Sequence, residues 1–458
     1  MDLLLVHPGE AGVDPVTEHL GIASLKAYSV QNGFSADTLD MNLEQCDIQL
    51  GIDKVMSANP RVLGVSLLDA TKRKGLALIR GLRLNGFQGT IITGGYFPTF
   101  HAREILQAYP EIGFAVRGEG ELTLIELLKY LLDEAIMDPE LIAGITYRDG
   151  DKIIDNPARA LIMDLDSLPM PDRKYASLIL EKKQHIRLSF SRGCWAHCSF
   201  CDIISLYGTS PGKKWRRRSV KNYIDEIVSL NNDFGADYFI FNDDNFLTRG
   251  RNNEEMIDDF VTEIRKRDLN IQFDMMCRVD SIKKGPIAKL KSVGLKGIFL
   301  GVESFDQAHL DRYNKDTTVY QNIKAIIILY QLRVEFIISI ILADAFTSLR
   351  DLIVQFYFLY KIQHRYFFNK NCKISINQKL EIYRGSTLYE QYKAMGLLYK
   401  DDWYEGYDYQ LKFFTELRLK LIKLEGRLYT KWYNLRKYLK KIRANTRLVI
   451  IKIFNMFI

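Results

Sequence analysis

The chain has 458 residues, 47% of them apolar, with six cysteines and a net charge of +7. Such a length exceeds one ordinary domain and the apolar content fills packed cores, which excludes a disordered chain and a small disulfide-stapled one. The charge is uneven: residues 411–458 carry 13 Lys and Arg against two Glu, a net +11, so the preceding 410 residues sum to −4 and give no reason to expect a nucleic-acid partner.

The first segment, MDLLLVHPGE, has neither a basic region nor a long apolar core, so it reads as a β-strand and not as a signal peptide or anchor. Cys46, Cys277 and Cys372 are scattered singly, as free thiols are in reducing compartments, and a cytoplasmic protein is expected. Strands are expected over 2–6, 35–40, 61–68, 89–94 and 112–117, with helices near 18–31, 45–58, 71–85, 101–108 and 120–133. That alternation predicts an α/β fold, a doubly wound parallel sheet over residues 1–140. Such sheets bind ligands at the carboxyl ends of their strands. Ser66, Gly94, Gly95, Gly118 and Glu119 fall there, where glycine lets backbone approach a bulky ligand, though βα turns use glycine in any case.

Residues 141–184 read as a hairpin turning at Asp149-Gly150, then a proline-bearing linker, LDSLPMPDRKY. A second series follows over 185–395, with strands over 185–190, 237–242, 271–276, 297–303, 334–342 and 373–378. Helices fit near 219–231, 252–267, 285–293, 318–331, 347–361 and 386–395. Six βα units predict a partial (β/α)6 barrel with its chemistry at the strand ends. Residues 396–458 form a basic C-terminal region. Leu417, Leu421, Leu424, Leu428, Trp432, Leu435, Leu439 and Ile442 recur every three or four residues as one helix stripe, suited to packing back on the barrel or to lying on an anionic membrane surface. The final apolar run is too short to span a bilayer.

At the end of the first barrel strand stands SRGCWAHCSFC, three cysteines in eight positions. Four thiolates close a zinc or iron–sulfur site; three leave one metal position without a protein ligand. Zinc with His197 as fourth ligand is the competing reading, but a residue between two cysteines of a tight loop is expected to point outward. Arg192 stands ready to offset thiolate charge.

Cys194-x3-Cys198-x2-Cys201 at this place resembles the radical S-adenosylmethionine (SAM) superfamily. The resemblance implies a [4Fe-4S] cluster on those three cysteines, with the amino and carboxylate groups of SAM on the fourth iron. Reduction then splits SAM into methionine and a 5′-deoxyadenosyl radical. It implies further that Phe200 contacts adenine, that Asp243 and Asp244 receive the methionine amino group, that Glu303 and Ser304 serve the ribose or carboxylate region, and that Arg278 pairs with the carboxylate. Upstream, VGVSLL, GGYFPT and VRGEGE, followed by LDSLPMPDR, resemble the cobalamin (B12)-binding subclass, which covers residues 1–395. There the resemblance implies methyl transfer from cobalamin to an unactivated centre of a small molecule or peptide-derived intermediate, and an electron donor such as flavodoxin or ferredoxin.

Three departures shape the alternatives. The Asp-x-His-x-x-Gly signature of a cobalt-ligating histidine is absent; His7 is expected to end a strand and His19 to start a helix. Tyr96 and Phe97 are expected to crowd a corrin ring. The fifth barrel strand ends in IILADAFTSLRD, where Asp344, Thr347 and Ser348 either face SAM or cap a helix. The first two motivate a cobalamin-free dehydratase, epimerase or rearrangement enzyme. A zinc-stabilised binding protein with a basic tail is the alternative outside enzymology.

Overall fold

In the computed structural model of the chain, residues 1–9, 17–132, 138–248, 251–366, 372–377, 379–401 and 404–407 are described. The leucine stripe and apolar end of the tail lie outside them.

The first unit alternates β1 (Leu3–His7), α1 (Leu20–Gln31), β2 (Ala36–Asp40), α2 (Ile48–Ala58), β3 (Val62–Ser66), α3 (Lys72–Leu84), β4 (Thr90–Gly94), α4 (Tyr96–Ala108), β5 (Phe114–Val116) and α5 (Glu121–Leu132). Its five strands pair in parallel in the order β2-β1-β3-β4-β5. Successive residues of β1 feed different cores, Leu4 and Val6 one and Leu3 and Leu5 the other, because strand side chains alternate and helices cover both faces. The order turns back between β1 and β3, the position where such sheets open a crevice.

The hairpin of β6 (Ile145–Asp149) and β7 (Lys152–Asp155) adds itself to the same sheet, β6 running antiparallel to β5. The sheet is therefore mixed and seven-stranded: the five expected strands are parallel and the expected hairpin extends them. The hairpin satisfies the backbone of an otherwise open edge. Helix α4 also starts earlier than expected, at Tyr96. Pro98 is tolerated in its first turn, and a kink at His101 marks where the periodic part begins.

The second unit contains α6 (Ala176–Glu181), β8 (Ile186–Leu188), the short β9 (Ser191–Arg192), α7 (Asp202–Gly208), β10 (Arg216–Arg217), α8 (Val220–Phe234), β11 (Tyr238–Phe241), α9 (Arg251–Lys266), β12 (Gln272–Arg278), α10 (Lys284–Lys291), β13 (Leu295–Glu303), α11 (Gln307–Arg312), α12 (Val319–Gln331), β14 (Glu335–Ile341), α13 (Leu349–Tyr366), β15 (Cys372–Asn377) and α14 (Thr387–Ala394). A hairpin of β16 (Leu398–Asp401) and β17 (Tyr404–Tyr407) ends the described chain. Six strands pair in parallel in the order β8-β11-β12-β13-β14-β15, an open barrel in which each strand lies beside the next.

Local sequence sets the helix ends. Ser219 accepts from Asn222 N to start α8, and Gly235 in a left-handed conformation closes it. Thr318 and Gln321 form a capping box on α12. The interior is aromatic: Phe241 and Phe273 stack at 4.5 Å, with Phe246 and Phe260 packed around them. Buried ion pairs tie the units together. Arg173 of the linker pairs with Glu18 before α1 and with Glu226 of α8, which also takes Arg218.

Candidate functional site

The cysteine loop leaves β9 through Gly193, at φ +79°, where a Cβ would come within 2.0 Å of Lys214 O on the neighbouring segment. Only glycine fits so close an approach in that conformation. The loop is then pinned at its far side: Ser199 N donates to Tyr313 O at 2.8 Å, Ser199 Oγ to Arg312 O at 2.9 Å, and Asn314 Nδ2 to His197 O at 2.8 Å. Cys198 is buried and Cys194 and Cys201 half-buried; all three are free. Burial raises the Cys194 thiol and pushes Cys201 up to about 12, with Asp202 adding to the latter. His197 is exposed, as its place between two cysteines requires.

Asp243 and Asp244 follow β11. Oδ1 of Asp243 accepts from Phe190 N at 3.1 Å, Ser191 N at 2.5 Å and Ser191 Oγ at 2.6 Å, so this carboxylate orients the loop's entry. Its other oxygen is buried without a hydrogen bond. Asp244 accepts a single bond, from Gly193 N at 3.1 Å, and faces a cavity. Burial raises Asp243 to about 6; burial, then Asp243 and Asp202, raise Asp244 to about 7.

The remaining barrel candidates behave differently from one another. Arg278 is committed: Nη1 donates to Cys198 Sγ at 3.1 Å, Nε and Nη2 to Asp280, and Nη2 also to Lys315 O at 2.5 Å. Its guanidinium lies 5.0 Å from the Trp195 ring. In this structure it therefore steadies the cysteine loop. Glu303, in a left-handed conformation at the end of β13, takes Lys315 Nζ at 2.9 Å, and Gly301 leaves the space for that buried pair. Phe200 packs edge-on to Tyr313 at 5.4 Å, with Lys315 Nζ 5.9 Å from its ring centre.

Ser304 is fully buried. Its hydroxyl accepts from Asp306 N at 2.9 Å and Gln355 Nε2 at 2.8 Å, beside His309. It belongs to a packed polar network, a correction to its reading as a SAM contact. That network runs on through Thr347 to Asp344, which Arg312 holds at 2.9 Å. Ser348 and Asp351 exchange backbone bonds at the start of α13, so the cap alternative describes Ser348.

Between the strand ends of the two units lies a cavity of about 390 Å³. Ser66, Gly94, Gly95 and Gly118 line it from the first sheet; Ser189, Tyr207 and Asp244 line it from the barrel. Gly95 at φ +100° has Leu67 O where a Cβ would stand, at 2.9 Å, so the close backbone there is built for glycine. His19 caps α1, Nδ1 accepting from Ile22 N at 3.2 Å. The ring proton of the neutral histidine therefore sits on Nε2, 3.4 Å from Ser66 Oγ, and the cavity meets an N–H there. His7 ends β1, its ring 4.3 Å from that of His19.

Glu119 borders the cavity but is not free to bind. It accepts from Arg192 Nη1 at 3.1 Å, from Arg216 Nη1 at 2.9 Å through both oxygens, and from Ile162 N at 2.7 Å. Glu121 takes the other end of Arg192 at 2.6 Å. Two corrections follow: Glu119 joins the first sheet to the cysteine loop, and the charge of Arg192 is met by carboxylates instead of thiolates. Tyr96 and Phe97 do not line the cavity either. Phe97 is buried beneath Lys72, and Tyr96 OH reaches Arg384 O at 3.4 Å, so the expected crowding of a ring is not found. Sequence reasoning passed over Arg216, Lys315 and Glu121; Arg216 and Glu121 find their partners 97 and 71 residues away, and the run WRRR was a visible signal for Arg216 alone.

The donor set fits the implied groups. Three free thiols on one loop are donors of the kind an iron–sulfur cluster takes. The singly bonded Asp244, which lines the cavity, suits an ammonium, whereas Asp243 lies buried behind it. The glycine-walled cavity at the switch point suits a large flat ligand.

Fold and site thus define a two-unit α/β protein whose cysteine-rich barrel mouth faces the ligand edge of a doubly wound sheet. Residues 11–128 match the B12 binding domain model and residues 188–345 the radical SAM superfamily model; the chain belongs to the radical SAM enzymes with an N-terminal B12-binding domain. It is 26% identical over 335 residues to an uncharacterized methyltransferase of Pyrococcus horikoshii, covering 71% of this chain and 70% of that one. It is 32% identical over 246 residues to the anaerobic magnesium-protoporphyrin IX monomethyl ester cyclase of Cereibacter sphaeroides, covering 51% of this chain but 38% of that relative. Among solved structures, the cobalamin-dependent radical enzyme OxsB with aqua-cobalamin bound superimposes with a TM-score of 0.74 at 22% identity, over 89% of this chain and 64% of that one. The methyltransferase TsrM from Kitasatospora setae gives 0.69 at 14%, over 86% and 75%. At these identities the two structures speak for the fold. Among the described residues no helix is long and apolar enough to cross a membrane.

Proposed function

We propose that the chain is a cobalamin-dependent radical SAM methyltransferase acting on an unactivated centre of a small molecule or peptide-derived intermediate. The observation that carries this reading is the shared cavity, walled on one side by Ser66, Gly94, Gly95 and Gly118 and on the other by Asp244 beside the cysteine loop. Cys194, Cys198 and Cys201 would hold the [4Fe-4S] cluster, Asp244, with Asp243 behind it, the ammonium of SAM, and the glycine turns the corrin. When bound, these groups supply a hydrogen-abstracting radical and a transferable methyl group.

The chain's own residues hold the geometry. Asp243 fixes the entry of the loop, Arg278 clamps Cys198, and Glu119 with Arg192 locks the loop to the first sheet. The Lys315–Glu303 pair stands buried beside Phe200 as a polar floor at the fourth strand end. An electron donor such as flavodoxin or ferredoxin completes the reaction, and the basic tail is a candidate for contact with an anionic membrane surface.

Anaerobic reconstitution with iron, sulfide and hydroxocobalamin tests the reading: about one corrinoid per chain should survive gel filtration, and trideuteromethyl-SAM should label the product. A second reading, radical chemistry without methyl transfer, is favoured by relatives named as cyclases and a synthase. It predicts 5′-deoxyadenosine with no gain of label.

A further inference from the structure

Arg278 ends β12 with its guanidinium buried against the cysteine loop. Nη1 donates to Cys198 Sγ at 3.1 Å, Nε and Nη2 to the two oxygens of Asp280 at 3.1 Å each, and Nη2 also to Lys315 O at 2.5 Å. We propose that the charged bond from Arg278 to Cys198 raises the reduction potential of the [4Fe-4S] cluster, which makes its one-electron reduction easier. The inference rests on the reading that the three cysteines hold that cluster.

The guanidinium is fixed from several sides. Asp280 takes its side-on edge, and the Trp195 ring lies 5.0 Å from it. Lys315 belongs to the turn after α11, which also holds the loop through Tyr313 O and Arg312 O. What points at the sulfur is therefore a positioned cationic donor that need not reorient when charge arrives. Arginine only donates and stays charged at any working pH, so its bond strengthens as the sulfur becomes more negative. Hydrogen bonds to the cysteine sulfurs and net charge are levers by which a protein sets the potential of such a cluster. One electron from a donor of the flavodoxin or ferredoxin class adds one negative charge, shared between iron and sulfur and so in part by Cys198 Sγ, and no proton accompanies it. Arg278 then stabilises the reduced state more than the oxidised one. Asp280, its side chain 4% exposed, cancels most of the guanidinium's longer-range field and leaves the direct contact with the sulfur as the lever. A mechanical clamp alone needs no charge: a neutral donor would serve, as Ala196 N does at 3.5 Å from Cys194 Sγ.

The test uses the full chain reconstituted with iron and sulfide, without SAM and without cobalamin so that a single redox centre remains. It is titrated with titanium(III) citrate while the reduced cluster is quantified by electron paramagnetic resonance. Arg278→Met/Asp280→Asn removes the pair at constant net charge. At the parent's midpoint its ratio of reduced to oxidised cluster should fall about tenfold, a shift of about 59 mV for one electron. Asp280→Asn keeps the bond to Cys198 and removes its counter-charge, so there the ratio should rise instead. A structural anchor changes iron content without moving the two midpoints in opposite directions. Unchanged midpoints, shifts of the same sign in both variants, or loss of the cluster from both overturns the proposal. A parent that takes up no [4Fe-4S] cluster fails at the underlying reading, which iron and sulfide per chain decide before any potential is measured.

Discussion

Replacing Glu119 by glutamine separates a junction role from a ligand role for this residue. The carboxylate is almost fully buried and accepts four hydrogen bonds, from Arg192, Arg216 and Ile162. Removing one partner of a buried ion pair costs about 3–5 kcal/mol because the other charge is stranded. Arg192 keeps Glu121, but Arg216 loses its carboxylate. Glutamine keeps the shape and one acceptor, so a loss near the lower end, about 3 kcal/mol, is expected. Replacing both members, Glu119→Gln with Arg216→Met, removes the stranded cation, and buried pairs exchanged for apolar groups of similar volume are often neutral. The double variant should therefore recover about 2 kcal/mol relative to the sum of the single ones. Urea unfolding of the full chain followed by circular dichroism measures the cycle. Additivity within about 0.5 kcal/mol, or a cost below about 1 kcal/mol for Glu119→Gln, would refute the junction.

Gly193→Ala should lower iron per chain several-fold on reconstitution, since a Cβ meets Lys214 O at 2.0 Å in a left-handed backbone; retention of full iron would show that the loop tolerates another path. Asp244→Asn keeps an acceptor for Gly193 N while removing the charge. SAM affinity by equilibrium dialysis should fall about 10- to 100-fold, the worth of a hydrogen bond to a charged group, at unchanged iron content. Burial lowers His19 from 6.5 to about 4, so the unfolded chain binds the extra proton first. The corresponding stability is complete above pH 6.5 and lost as pH falls toward 4, by at most about 3 kcal/mol. In the cobalamin-free chain His19→Gln should flatten that limb of the stability profile, and an unchanged slope would contradict the buried neutral ring.

The elements that carry chemistry were legible because their signals are local. Strand alternation located β1 to β5 within a residue or two, and three cysteines in one loop announce their own site. Asp244 was singled out only through the resemblance of its strand-end motif; its bond from Gly193 N, 51 residues earlier, is a product of the fold. Sequence could not show that Glu119 and Arg192 consume each other's charge, because the contact joins residues 73 apart across two units. Ser304 looked available at a strand end until the fold brought Gln355 and His309 around it. Tyr96 and Phe97 looked obstructive for the same reason: the earlier start of α4 turns both away from the cavity.

The most direct measurement is substrate-independent cleavage of SAM by the reduced, reconstituted chain, with 5′-deoxyadenosine and iron quantified for the parent and for Cys194→Ala, Cys198→Ala and Cys201→Ala. The account predicts 5′-deoxyadenosine from the parent and loss of both product and most iron in every single variant. Equal iron and equal product in any of the three would contradict it.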